Sequence, residues 1–178
     1  MSELTGNILE EVITLLIEGD FELRRYTQTD FEKQNLYIYS IHVNRSEYGK
    51  VCGAKGKMIR SIKYIWEVCM CRHLKKQVRV SLKEPSSGYS KGRQPVVPEE
   101  NFDADLFLEV VSDIVEASSG GIVSYERFKE TNPPIFTYTV KYKRSNSCLG
   151  EEYKLALESI FNAIAKANGG NIVVNING

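Results

Sequence analysis

The sequence has no long apolar segment, few cysteines and almost no histidine. No run in its 178 residues approaches the roughly 18 consecutive apolar positions of a membrane span, and the N-terminus MSELTGNILEEVI has acids where a signal peptide has basic residues. The four cysteines show no paired spacing, and a chain of this length needs no disulfides to fold. We therefore expect a cytoplasmic protein with reduced thiols and no membrane association.

Patterns typical of catalytic, metal and cofactor sites are also missing. Cys69 and His73 are four residues apart on a predicted helix, but Cys71 faces another way and no second ligand pair is evident. The same residues lack a third group to orient a nucleophile. GAKGKM is not a P-loop, because Lys57 is followed by Met58 instead of Ser or Thr. The sequence predicts no enzyme activity, no cofactor and no metal.

The net charge is zero, but the charges are segregated along the chain. Residues 1–44 contain 3 Lys/Arg and 8 Asp/Glu, residues 45–93 contain 13 and 3, and residues 94–178 contain 7 and 12. A single basic block of this kind indicates a surface for a polyanion, with a solvated lysine face as the alternative.

Hydrophobic periodicity predicts the order α-β-β-α-α-β for the first half. The elements are a helix around NILEEVITLLIEG, strands over 21–29 and 36–44, a short helix at SEYGKVCG, a long helix at KMIRSIKYIWEVCMCRHL and a strand over 77–82. In the long helix the spacing predicts that Met58, Ile62, Ile65 and Cys69 face inward and that Arg60, Tyr64, Glu67 and Cys71 face outward.

A stretch rich in proline, serine and glycine separates this half from a second one. Residues 85–100 are predicted to be a linker, in which Lys91 and Arg93 extend the basic block. Residues 101–178 then repeat the order as α-β-β-α-β, and SIHVNRSEYGKVCG and TVKYKRSNSCLG both place Arg-Ser after the second strand. We predict an α+β protein with two domains, 1–84 and 101–178, each a three-stranded sheet with helices on one face.

The stretch YGKVCGAKG followed by KMIRSI resembles a K-homology (KH) RNA-binding domain of type II, the kind found in small bacterial KH proteins. The resemblance covers about residues 3–84 and rests on an apolar pair, a G-x-x-G loop and an isoleucine in the next helix, here Val51–Cys52, Gly53–Gly56 and Ile59. Cys52 departs from the usual Ile or Val. The resemblance implies two tandem KH-like domains of α-β-β-α-α-β order, and a bacterial or phage source.

The chemistry of this stretch also favours nucleic acid. Helix N-terminal amides and the helix dipole attract phosphate, glycines allow close approach, and lysines add charge. We predict binding of single-stranded RNA, with a flexible glycine hinge as the alternative. The predicted RNA-binding residues are Arg45, Lys50, Val51, Gly53, Ala54, Lys55, Gly56, Lys57, Ile59, Arg60, Lys91 and Arg93. Bases are expected in an apolar groove between the long helix and the second strand, contacted by Val51, Ile59 and Ile62.

The second half departs from the motif. SNSCLGEEYKLAL keeps Gly150 but lacks the second glycine, and Glu151 and Glu152 replace cations. We expect a degenerate copy that acts as scaffold or as a surface for a homo-oligomer or protein partner. The alternative is a base-stacking sheet face with Tyr125, Phe128, Tyr138 and Tyr142.

For the whole chain we expect an RNA chaperone, a post-transcriptional regulator or an mRNA-handling factor. The alternatives are an assembly protein that uses the two folds for protein contacts and a protein that binds single-stranded DNA.

Overall fold

A computed structural model of the chain describes residues 2–84, 104–131, 134–143, 150–167 and 172–177. The predicted linker over 85–100, with Lys91 and Arg93, lies outside the described residues. None of the described helices combines the length and the apolar character that spanning a bilayer requires.

The first half has the predicted order of elements. They are α1 (Ser2–Leu16), β1 (Phe21–Thr29), β2 (Asn35–Val43), α2 (Arg45–Cys52), a single 3₁₀ turn (Ala54–Gly56), α3 (Lys57–Lys63), a π-helical stretch (Tyr64–Met70), α4 (Cys71–Leu74) and β3 (Gln77–Lys83). The segments from Lys57 to Leu74 follow one another without a break, and we call them the long helix. Strand β1 has the predicted bounds, because its aromatic and β-branched residues end at a polar turn on the C-terminal side.

The second half repeats this order without the short helix in its described residues. Its elements are α5 (Ala104–Ser119), β4 (Ile122–Thr131), β5 (Pro134–Lys143), α6 (Glu151–Ala167) and β6 (Ile172–Asn177). In each half the first two strands pair antiparallel and the third strand lies parallel to the second. The mixed α+β class is confirmed, and the internal repeat extends to sheet topology.

The helices of the two halves pack against each other, with one sheet on the outside of each half. Helix α3 packs on α6, α1 packs on α5, and the sheets contact the opposite sides of these helices. Apolar side chains of both halves belong to one continuous core. Phe107 of α5 and Phe161 of α6 meet edge to face at its centre, with ring centroids 6.2 Å apart. Neither half therefore buries its apolar helix faces alone.

The packing between the halves is approximately two-fold symmetric. The opening helices α1 and α5 contact each other, and so do the helices that follow the second strands, α3 and α6. The cross contacts match as well, because α1 touches α6 and the long helix touches α5. An isologous dimer interface has this property, here within one chain.

Polar contacts hold α1 between the first sheet and the long helix. The indole N–H of Trp66 donates to the carbonyl of Thr5 at 2.9 Å, and the hydroxyls of Thr5 and Tyr39 are 2.7 Å apart. All three side chains are buried. These hydrogen bonds satisfy polar groups that would otherwise be costly to bury.

The long helix matches the predicted inward face and departs from the predicted outward face. Met58, Ile62, Ile65 and Cys69 are buried as expected, and Arg60 is exposed. Glu67 and Cys71, expected in solvent, instead accept hydrogen bonds from the N–H groups of Val80 and Val78, at 2.8 and 3.0 Å. Tyr64 is also half-buried. The reason is the π-helical stretch, whose wider turns shift the side-chain phase away from 3.6 residues per turn.

The shared core predicts that the two halves unfold together. Phe161→Ala removes a fully buried ring from the second half and should lower the free energy of unfolding by about 3–5 kcal/mol. The fluorescence of Trp66, the only tryptophan and a core residue of the first half, should report this loss in a urea titration.

The matched control is Leu155→Ala on the same helix, which removes a side chain that is 53% exposed and should change stability by less than about 0.5 kcal/mol. A Phe161→Ala protein in which the Trp66 transition stays at the wild-type urea concentration would show that the halves unfold independently.

Candidate nucleic-acid interface

The GAKG loop, residues Gly53–Gly56, joins α2 to the long helix through three residues with positive φ. The φ angles of Gly53, Lys55 and Gly56 are 75°, 53° and 74°. Glycine adopts such angles without steric cost, whereas a lysine there is uncommon. The loop therefore holds an unusual backbone shape that its two glycines permit.

The two glycines are required for different reasons. A Cβ added to Gly53 would lie 2.6 Å from Met58 Cβ and 2.7 Å from the Met58 backbone nitrogen, so the loop folds directly onto the first turn of the long helix. A Cβ at Gly56 would find only Ile59 Cγ2, at 4.0 Å. Gly53 thus makes the internal packing possible, while the outer side of Gly56 is open to an approaching ligand.

The tip of the loop presents backbone N–H groups to solvent. The N–H groups of Gly53 and Gly56 donate to the carbonyls of Gly49 and Gly53, at 2.8 and 3.1 Å. Ala54 and Lys55 are both exposed and open the 3₁₀ turn, and the first N–H groups of such a turn have no acceptor within it. Two adjacent amide donors at a glycine-bordered turn are suited to binding an anion.

The lysines around the loop differ in their partners. Lys50 Nζ lies 3.2 Å from Oε2 of the buried Glu47, and this charge contact lacks hydrogen-bond geometry. Lys55 and Lys57 are exposed, and no acidic side chain in the described ranges forms an ion pair with either of them. The positive charge available to a ligand is therefore centred on Lys55 and Lys57.

Most of the predicted RNA-binding residues that the structure describes are exposed or half-buried, but two residues of the predicted base groove are buried. Arg45, Ala54, Lys57 and Arg60 are exposed, and Ile59 is half-buried against the core. Two of the three residues assigned to the base groove are not accessible to a ligand. Val51 and Ile62 are completely buried, so their side chains serve the core and do not contact a ligand. This expectation was wrong because other side chains of the protein cover the apolar sides of α2 and α3, and the sequence does not show this.

An open cavity of about 350 Å³ adjoins the loop on its other side. Gly53, Ala54, Lys57 and Met58 form one wall. The opposite wall is α6 of the second half, with Leu155, Glu158, Ser159, Asn162 and Ala163. Sequence reasoning missed these α6 residues, because nothing in the pattern shows which face of the second half meets the loop. The one signal was Leu155, a large apolar side chain that lies off the buried stripe of α6.

In the second half, the helix that corresponds to the long helix begins with acidic residues, Glu151 and Glu152 of α6. Burial raises the pKa of the Tyr64 hydroxyl, and a hydrogen bond to Glu152 raises it further. An acid from the first turn of α6 thus contacts Tyr64 of the long helix. Gly150 is exposed, and residues 144–149 lie outside the described residues.

The four aromatic positions that were predicted to share one face of the second sheet lie on both of its faces. Positions 125, 138 and 142 share one face by the strand register, since Tyr125 pairs with Val140 and strands alternate by residue. Position 128 pairs with position 137 and falls on the opposite face. The four aromatic positions therefore do not form one stacking surface.

The cysteines of the long helix have packing roles. Burial raises the pKa of the Cys69 thiol to about 11 and also raises that of Cys71. Thiols with raised pKa values stay protonated at neutral pH and are poor nucleophiles. Within the part of the chain that the structure describes, no three His, Cys, Asp or Glu side chains are grouped in a way that could hold a metal ion.

Acidic side chains crowd together where α1 meets α5. Burial and the nearby carboxylates of Asp113, Glu109 and Glu10 raise the pKa of Glu11, and burial together with Glu109 and Glu116 raises that of Asp113. The lysines of the loop lie at the start of the long helix, whereas α1 and α5 carry these acids. The charge segregation of the sequence is thus also a segregation in space.

A scan against protein-family models and a search of curated protein sequences both find no match for this chain.

The geometry of the two loop glycines predicts unequal costs of substitution. Gly56→Ala should lower the free energy of unfolding by about 1 kcal/mol, because it places a side chain at positive φ without a clash. Gly53→Ala should lower it by at least about twice as much, since the Met58 backbone must also move. Urea unfolding measures the free energy of unfolding of both variants. Equal losses of this free energy would show that Gly53 does not pack against Met58.

The acidic crowding predicts that stability rises as the pH falls below neutrality. Because the folded-state pKa values of Glu11 and Asp113 are raised, the folded state binds protons more readily than the unfolded chain, and protonation stabilises the fold. Asp113→Asn should therefore raise the Tm at pH 7 and lose this advantage below about pH 3, where the carboxyl is protonated in both states. Thermal scans at the two pH values test this. A Tm of Asp113→Asn that stays above the wild-type Tm at low pH would show that the ionised carboxylate is not the cause of the difference.

Proposed function

We propose that this protein binds single-stranded RNA through the GAKG loop and acts in RNA handling without catalysing a reaction, as its resemblance to type II KH domains implies. The observation that carries the proposal is the loop tip, where the exposed Ala54 and Lys55 open the 3₁₀ turn and their amides have no acceptor within it. One phosphate of the strand accepts hydrogen bonds from these amides.

The surroundings of the loop support a phosphate ligand. Lys55 and Lys57 flank the two amides, and the long helix begins at Lys57 with the positive end of its dipole. The open side of Gly56 leaves room for the sugar-phosphate backbone to approach closely. Amides, dipole and ammonium groups all favour an anion at the same point.

The exposed surface also favours a polymer over a small anion. Arg60 and Arg45 extend the positive surface beyond the loop, on the long helix and at the start of α2. A single phosphate would need only the loop, whereas a strand gains from charges spaced along its path. Lys91 and Arg93 belong to this proposed surface as the basic residues of the linker.

The second half is proposed to be a scaffold and a possible site for a protein partner. It completes the core through α5 and α6, and its α6 begins with Glu151 and Glu152, which repel phosphate. The second half therefore contributes α5 and α6 to the core whether or not its own loop binds a ligand.

The proposal predicts a strong dependence of RNA affinity on the loop. Lys55→Asp combined with Ala54→Asp should abolish most binding, because two carboxylates replace a cation and cover the free amides. Fluorescence anisotropy with a labelled mixed-sequence single-stranded RNA measures the affinity. The wild-type affinity should fall with salt at a log-log slope of about −3, as for about four phosphate contacts, and Lys55→Asp alone should reduce the slope by about 0.7.

The chain offers a matched control in Lys75→Asp. Lys75 is also exposed and has a positive φ, 55° against 53° for Lys55, but it lies at the other end of the long helix, about 27 Å away. This variant should keep the wild-type salt slope. Circular dichroism should be unchanged for all variants.

Four outcomes contradict the proposal in different ways. An equal loss of RNA affinity in Lys55→Asp and Lys75→Asp would show that RNA is attracted to the whole basic surface and not to the loop. Unchanged binding of the double variant would place the site away from the loop. Failure of the wild type to bind RNA at physiological salt would favour an assembly protein, and an equal affinity for single-stranded DNA would remove the specificity for RNA.

A further inference from the structure

The first sheet has one face on the helices and an outer face in solvent. On the inner face, Tyr39 and Val80 are buried, and Arg25 donates a hydrogen bond to a side chain of α1 at 2.9 Å. These three residues are paired across the strands. Because side chains alternate between the two faces along each strand, the adjacent positions 26, 38 and 79 lie on the outer face.

A row of three side chains, Tyr26, Ile38 and Arg79, crosses this outer face, and we call it the platform. Tyr26 pairs with Ile38, and Ile38 pairs with Arg79. Tyr26 is 52% exposed, Arg79 is exposed and Ile38 is half-buried. A sheet face that meets only water usually carries polar side chains. The platform instead offers an aromatic ring and an aliphatic side chain to a flat, apolar group.

The charge around the platform is positive. Glu22 is the one acid on the outer face of the first sheet, and Arg24 Nε lies 3.0 Å from its Oε1. Arg79 and Lys83 are exposed, and within the described part of the chain no acidic side chain forms an ion pair with either of them. Single-stranded nucleic acid combines flat rings with negative charge, so it fits both properties of this face.

We propose that the platform is a second contact for the RNA strand that the GAKG loop holds, with a base stacked on Tyr26 and phosphates bound by Arg79 and Lys83. This inference rests on the proposed RNA binding. Stacking of a base on an aromatic ring tolerates any sequence, because every base has a flat face. The platform therefore lengthens the bound segment without selecting bases.

The chain connects the loop to the outer face over a short distance. Helix α2 runs from Arg45 to Cys52, directly before the loop, so its length places Arg45 about 12 Å from Gly53. His42, the strand partner of Lys83, is three residues before Arg45, a span of at most about 11 Å. Arg45 and Lys83 are both exposed, so cations occur along the path from the loop to the platform.

The experiment compares a labelled tetramer and a labelled dodecamer of mixed-sequence single-stranded RNA on the full chain. The G-x-x-G loop of a KH domain holds about four nucleotides, so only the dodecamer extends to the platform. Tyr26→Ala should weaken dodecamer binding at least about fivefold, as expected for the loss of one stacked base, and change tetramer binding by less than about 1.5-fold. Arg79→Gln should reduce the salt slope of the dodecamer by about 0.7 and leave that of the tetramer unchanged.

Phe31→Ala is the matched control, since it removes a fully exposed aromatic side chain from the turn of the same hairpin, outside the platform. It should leave both affinities unchanged. Tyr26→Phe keeps the ring and should keep the wild-type affinity for the dodecamer, which separates stacking from a role of the hydroxyl group. Circular dichroism should be the same for all variants.

The outcomes separate this inference from the function on which it rests. Wild-type dodecamer binding by Tyr26→Ala and Arg79→Gln would overturn the platform while RNA binding at the loop stands, and would favour an acidic protein partner for this face. Equal weakening of tetramer and dodecamer, or an equal loss in Phe31→Ala, would also overturn it. Failure of the wild type to bind either RNA would overturn both proposals.

Discussion

The packing of α3 against α6 is the contact on which both the core and the candidate site depend. It joins the helical faces of the two halves into one apolar interior, with Phe161 and Ile62 both fully buried there. The same contact brings the exposed side of α6 beside the GAKG loop and forms the cavity. Stability and recognition are therefore coupled, because the element that closes the core also supplies one wall of the site.

A tight local constraint shapes the loop itself. Gly53 lies so close to the first turn of the long helix that a Cβ there would displace the Met58 backbone, and the chain continues through the exposed Ala54 and Lys55. The amides of Ala54 and Lys55 have no acceptor within this turn, and Lys55 has a positive φ that costs free energy. An energetically unfavourable backbone at an exposed tip is consistent with a loop kept for binding.

The sequence allowed the order of elements, the inward face of the long helix and the position of the loop to be predicted, because each depends on local periodicity and on glycine spacing. β1 over 21–29 and the buried Met58 are examples. What could not be predicted depends on contacts distant in sequence. Val51 and Ile62 were assigned to a groove that the core fills, and Glu67 turned inward through a π-helical stretch that a 3.6-residue pattern does not anticipate. The α6 wall of the cavity follows only from the way the two halves pack.

The measurement that tests the central claim most directly is the change in backbone amide chemical shifts when a short single-stranded RNA is titrated into the isotopically labelled full chain. The proposal predicts that the largest and saturable shifts fall on Ala54, Lys55 and their neighbours in the GAKG loop. Shifts that leave the loop unaffected and fall instead on the second sheet or on the α1–α5 surface would contradict the account.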